Sequence, residues 1–145
     1  MEIKNIKRGE YLIELFQTGK SIYEEVEYPF WGVDGTVDLQ GLNYCMGQGI
    51  ITKPMKMGGE THSHEFDQVL FFVGLDPTNI RDFDAEIEMF LGDKFEPFNY
   101  ATCIRIPAGT VHAPVIVKKV NKPFVYVDIT LAPVISDDST RKYVK

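Results

Sequence analysis

The sequence predicts an all-β domain, a sandwich or barrel of short strands preceded by an N-terminal arm. Three observations point there. From Gly35 to Pro133 the chain is cut into short runs of alternating or continuous apolar residues by glycine, proline and Asn/Asp turn signals. Residues 113–120 and 123–131 read as a hairpin around Asn121-Lys122. His62 and His64 lie two apart, the spacing that puts both side chains on one face of a strand.

Taken in order, residues 1–34 form the arm. Within it Glu10 to Phe16 suits a short helix or an edge strand, ended by Gly19. Tyr23, Tyr28, Phe30 and Trp31 follow among acidic residues. So many aromatics predict either a flap over the core or a subunit contact, because aromatic residues are enriched at interfaces. The barrel core spans about 35–133. Residues 36–39 and 42–46 read as strands with Gly41 between them. Residues 49–53 form a further strand stopped by Pro54, and 56–60 a turn. Residues 67–74 are a strand whose run Val69-Leu70-Phe71-Phe72-Val73 implies that both faces are largely covered. Residues 75–84 read as a polar loop, 85–92 as an alternating strand, and 93–99 as a second loop containing Pro97. A strand at 101–106 leads into a tight turn at 107–110. In the last strand Val125, Val127, Ile129 and Leu131 share one face, and Phe124, Tyr126, Asp128 and Thr130 the other. Residues 134–145 are a polar tail.

Length and charge narrow the function classes. A chain of 145 residues holds one domain with a proper core. Its net charge of −6, with no block of basic residues, argues against nucleic acid and against an anionic membrane surface as partner. The lysines near the end, Lys118, Lys119 and Lys122 among them, read as solvated surface. The N-terminus, Met1-Glu2-Ile3-Lys4-Asn5, is polar and charged, and no apolar span is long enough for a membrane. The expectation is a cytoplasmic protein in which Cys45 and Cys103 are reduced thiols.

The chemistry concentrates in the chain's three histidines. By strand parity His62, His64, Phe66 and Gln68 point one way, and Ser63, Glu65, Asp67 and Val69 the other. Two imidazoles on one face are half a metal site, and His112 from a neighbouring strand would complete a facial set. The two segments resemble the paired motifs of the cupin superfamily. The first motif is Gly58 or Gly59, His62-Ser63-His64, Gln68 and Gly74; the second is Pro107-Ala108-Gly109-Thr110-Val111-His112. The match covers roughly residues 50–130. Two departures stand out: Gln68 occupies the position where the first motif has Glu, and no glycine opens the second motif, where Tyr100-Ala101-Thr102 stands.

The resemblance implies a double-stranded β-helix, a jelly-roll barrel, with a metal at its centre held by His62, His64, His112 and Gln68. Such a site suits Zn, Fe, Mn, Ni or Cu. As a ligand Gln68 leaves the formal charge at +2, favouring a strong Lewis acid and anionic substrates. On that reading Gln68→Glu keeps or tightens metal binding. The other reading makes Gln68 a hydrogen-bond donor beside the site. The set resembles the sites of some sugar-acid and uronate-processing cupins. Tyr44, Arg105, Tyr126 and Asp128 are polar residues within expected strands. Of these, Arg105 is a candidate carboxylate grip, and Tyr126 and Asp128 are candidate acid–base groups. Arg105 and Tyr126 are the expected catalytic residues. The expected function is an enzyme using its metal as Lewis acid on a small sugar-acid or keto-acid ligand. The alternatives are a non-catalytic sensing cupin and an O₂-dependent dioxygenase. A homodimer is expected from the aromatic arm and the need to cover sheet edges.

Overall fold

The computed structural model describes residues 23–27, 30–36 and 38–133. The expectations for Glu10 to Phe16, Tyr28 and the tail lie outside those residues. Among the described residues nine strands follow one another: β1 (Trp31–Asp34), β2 (Cys45–Ile51), β3 (Met55–Met57), β4 (Gln68–Gly74), β5 (Asp82–Leu91), β6 (Lys94–Tyr100), β7 (Thr102–Ile106), β8 (His112–Val120) and β9 (Phe124–Thr130). All their pairings are antiparallel, and no helix occurs among the described residues. One sheet has the order β1-β2-β9-β4-β7 and the other β3-β8-β5-β6. No helix among them is therefore long and apolar enough to cross a membrane.

The inner faces of both sheets meet over one apolar core. Strand alternation fills it: Leu70 and Phe72 from β4, Phe124 from β9, Phe83, Ile87 and Met89 from β5 are all buried. Phe72 meets Phe98 edge-on at 4.9 Å between centroids, and Phe83 lies 4.9 Å from Phe124. Burying each such ring contributes about 2–3 kcal/mol. In β9 the side with Phe124, Asp128 and Thr130 is the buried one. Val69 to Val73 is largely covered on both faces, though unequally. Leu70 and Phe72 are buried, whereas Val69, Phe71 and Val73 are only half-buried on the outer face.

Several boundaries differ from the sequence reading. Trp31–Asp34 lies within the expected arm but pairs with β2 as its own strand. Gly35 and Thr36 turn instead of extending. The Asp34 carboxylate accepts from both the N–H and the hydroxyl of Thr36, which favours a local turn over a ladder. Cys45–Ile51 is one strand where two are expected, because Gly47 and Gly49 sit within it, opposite Asp128 and Tyr126. A Cβ at Gly49 would come within 3.1 Å of the Phe30 ring, so the glycine lets the arm lie close. Lys56 and Met57, read as the start of a turn, belong with Met55 to a strand that pairs with β8. Residues 94–100, read as a loop, are an edge strand, where Pro97 needs no ladder partner on its open side. The β5–β6 hairpin closes through Gly92-Asp93, with Gly92 at φ +71° as a primed two-residue turn requires. Cys45 is buried, and Cys103 is an exposed free thiol.

The arm also acquires a place. Tyr23 and Val26 pack against the core, and the Tyr23 hydroxyl accepts from the Gly58 N–H at 2.9 Å. These residues act as a flap that anchors the chain just before the first histidine.

Candidate metal centre

The histidines converge by a route other than the expected continuous strand. His62 makes an isolated antiparallel bridge with His112, each backbone N–H donating to the other's carbonyl at 3.0 and 2.9 Å. Residues 63–67 are irregular, and Gln68 then opens β4. The turn before His112 is fastened to this segment. Gly109 N–H donates to the His64 carbonyl at 2.8 Å, and Ala108 N–H to the Asp67 carboxylate at 2.8 Å. Asp67 is thus a brace for the second motif, and Glu65 is exposed.

The imidazole nitrogens of His62, His64 and His112 that could bind a metal lie within 4.8 Å of one another. Ring centroids are 4.6 Å apart for His62–His112 and for His64–His112. Each Nδ1 faces a backbone carbonyl: Glu60 at 2.6 Å from His62, Phe66 at 3.0 Å from His64, and Thr110 at 2.8 Å from His112. A carbonyl only accepts, so each Nδ1 carries the proton and donates. In the neutral rings each Nε2 is then left with its lone pair, although His64 Nε2 itself faces an acceptor, Gln68 Oε1, at 3.1 Å. Fixing the tautomer in this way is what metal-ligating histidines require of their surroundings. Burial holds the His112 imidazole below the usual range, with the bond to the Thr110 carbonyl opposing and His64 and His62 reinforcing the shift. The neutral form that a metal needs is the favoured one.

Gln68 is buried, and its Oε1 lies 3.1 Å from His64 Nε2. Its Nε2 donates to Asp128 Oδ1 at 2.8 Å, and the Tyr126 hydroxyl donates to Asp128 Oδ2 at 3.0 Å. The chain His64–Gln68–Asp128–Tyr126 runs from the histidines into the barrel. With three lone-pair nitrogens and an amide oxygen converging, the donor set fits a divalent cation. Near it the Thr130 hydroxyl, on the residue paired with Gln68, is buried without a hydrogen-bond partner.

The other expected site residues fall elsewhere. Arg105 is exposed on β7 between buried Ile104 and Ile106, opposite the outward-facing Val69. It faces away from the histidines and is removed from the expected pocket. Its buried neighbours on either side are the signal for this in the sequence. Tyr126 points inward, but its hydroxyl reaches Asp128 and its ring packs at 5.3 Å on Phe72. Its hydroxyl is linked to the histidines through Asp128 and Gln68. Tyr44 precedes β2 and is half-buried, which pushes its phenol up.

No family model matches the sequence, and among curated proteins none matches it. Solved structures do. KdgF from Halomonas sp. superposes with a TM-score of 0.52 at 12% identity, over 82% of this chain and 90% of that one. A cupin 2 domain-containing protein from Halorhodospira halophila gives 0.51 at 16% identity, over 74% and 66%. Oxalate decarboxylase from Bacillus subtilis gives 0.59 at 11% identity, over 87% of this chain but only 30% of that one. At such identities the likeness is one of fold. The chain has the cupin fold, an all-β jelly roll of two antiparallel sheets carrying a three-histidine cluster.

Proposed function

We propose that this protein binds one divalent transition metal at His62, His64, His112 and Gln68 and is an enzyme acting on a small oxygenated anion, a sugar acid or keto acid. One observation carries the reading. Three imidazoles are held as Nδ1–H tautomers by backbone carbonyls, and the fourth group turns an oxygen, not a donor, toward them. Four acceptors facing one another repel unless a cation lies between them. A divalent ion held there supplies Lewis acidity toward a carbonyl or carboxylate oxygen. The protein's own part is to bind and orient. His62 is exposed and His112 buried, so the cluster is approached from the His62 side. Neutral ligands leave the centre cationic, which favours an anionic partner. Oxalate decarboxylase, which shares the fold, has Mn(II) centres, and its name records a small carboxylate as substrate.

The test is metal analysis of protein purified without a histidine tag, followed by a binding and turnover screen of small keto acids and sugar acids. The expected result is one metal per chain, and tighter anion binding in the metal-loaded form. Stoichiometric metal retained after replacing all three histidines by alanine would overturn the reading.

A further inference from the structure

We propose that Asp128 is a positioning residue that dictates which end of the Gln68 amide faces the histidines, and that it backs the neutral amide with a negative charge. The inference rests on the metal-binding reading above and goes beyond it. A glutamine next to a bare imidazole lone pair has an obvious preference. Its NH₂ would donate to His64 Nε2 and consume the ligand atom. The structure shows the opposite orientation. Gln68 Nε2 donates to Asp128 Oδ1 at 2.8 Å, so Oε1 is the end left 3.1 Å from His64 Nε2. A carboxylate accepts only, and it therefore claims the NH₂ and turns the oxygen outward. Tyr126 donates to the second carboxylate oxygen at 3.0 Å and holds its plane.

The register makes this contact a property of the fold. Gln68 pairs with Thr130, and Leu70 with Asp128, so Gln68 and Asp128 are diagonal neighbours on the inner face of adjacent strands. Both are buried, at 8% and 2% exposure, where a charge-assisted bond is strong and a misdirected amide is costly. Asp128 also stands in for the carboxylate missing from position 68. Its charge lies one hydrogen bond behind the amide and draws negative density onto Oε1. With a divalent ion bound, the formal charge of the cluster and Asp128 together is +1. The sequence-based expectation that Gln68→Glu is tolerated is thereby revised: that carboxylate would lie against Asp128.

The experiment is a donor–acceptor swap read by competition titration of the metal-free proteins with Zn²⁺ and by melting temperature. In Asp128→Asn the new amide no longer demands a donor, Gln68 is free to turn, and metal affinity falls about 10–100-fold. In Gln68→Glu two carboxylates oppose each other, and the metal-free protein melts lower. In the double variant, Gln68→Glu with Asp128→Asn, the amide now at position 128 donates to the carboxylate now at position 68. The other oxygen of that carboxylate faces the histidines, and affinity returns to wild type or better. Tyr126→Phe, which keeps the Asp128–Gln68 bond, gives a smaller loss than Asp128→Asn and serves if that variant does not fold. Wild-type affinity in folded Asp128→Asn overturns the proposal, and so does a folded double variant with no recovery. A wild-type protein that takes up no metal overturns the metal-binding reading itself, which separates the two failures.

Discussion

Phe66 lies almost flat on the imidazole of His64, with ring centroids 4.0 Å apart and planes 11° from parallel. The same residue's carbonyl accepts from His64 Nδ1. One residue thus sets the plane of the ring with its side chain and the tautomer with its backbone. Phe66→Ala removes only the stacking, worth about 0.5–1.5 kcal/mol. Metal affinity should fall by about 2–12-fold, with little change in melting temperature because Phe66 is half-exposed. Phe66→Tyr should keep the affinity. An unchanged affinity in the alanine variant would show that the backbone alone orients His64.

The three histidines should differ in what their loss does to the fold. His62 is exposed and His112 is buried at 3%. His62→Ala and His112→Ala should each lose most of the bound metal. Only His112→Ala should also melt lower when metal-free, since it opens a cavity worth about 1–3 kcal/mol. Elemental analysis and calorimetry on the same samples check both halves.

Stability of the metal-free protein should depend on pH through His112. Burial sets its folded pKa below the ordinary value, so between the two values the unfolded chain binds a proton that the folded chain does not. More protons on the unfolded state mean that stability rises with pH. The contribution is complete above about pH 6.5 and is lost as pH falls below it. Thermal melts from about pH 8 to about pH 5 should show this slope, flattened in His112→Gln. An identical slope in that variant would assign the effect to other groups.

The outer face of the five-stranded sheet predicts self-association. Trp31, Met46, Phe71, Val73, Val127 and Ile129 share it, all half-buried, and apolar patches of this kind mark contact surfaces. We expect a homodimer with a second copy on this face. Light scattering should give twice the chain mass, and Val127→Glu should shift it to the monomer. A monomer across a wide concentration range for the unmodified chain rules the dimer out.

The fold class is readable because β-strands announce themselves by alternation, as Phe124 to Leu131 does. The histidine cluster is readable because all three imidazoles lie in two spaced motifs. Pairing partners are not readable. Nothing near Gln68 in the chain reveals that β9 lies beside β4, so the contact with Asp128 stays hidden although parity puts Asp128 on the side with Phe124 and Thr130. Turn chemistry misleads in both directions. Residues 93–99, with Pro97, read as loop but from Lys94 onward make an edge strand, and Thr36 reads as strand but is captured by Asp34. For Arg105, guanidinium chemistry suggests a pocket, but alternation with Ile104 and Ile106 decides its outward direction.

The Gln68–Asp128 bond joins residues 60 positions apart, and Gly109 and Ala108 reach back to His64 and Asp67 over a comparable span. The local Nδ1–carbonyl contacts need only neighbouring residues, but the convergence of the four ligands needs these distant pairings. Closing such long loops costs only slightly more than closing short ones, yet topologies dominated by distant pairings fold slowly, in milliseconds to seconds. The ligand set is therefore complete only once β4 and β9 are paired and the turn before His112 is docked. A metal ion that needs all four ligands should therefore bind after β4 and β9 have paired.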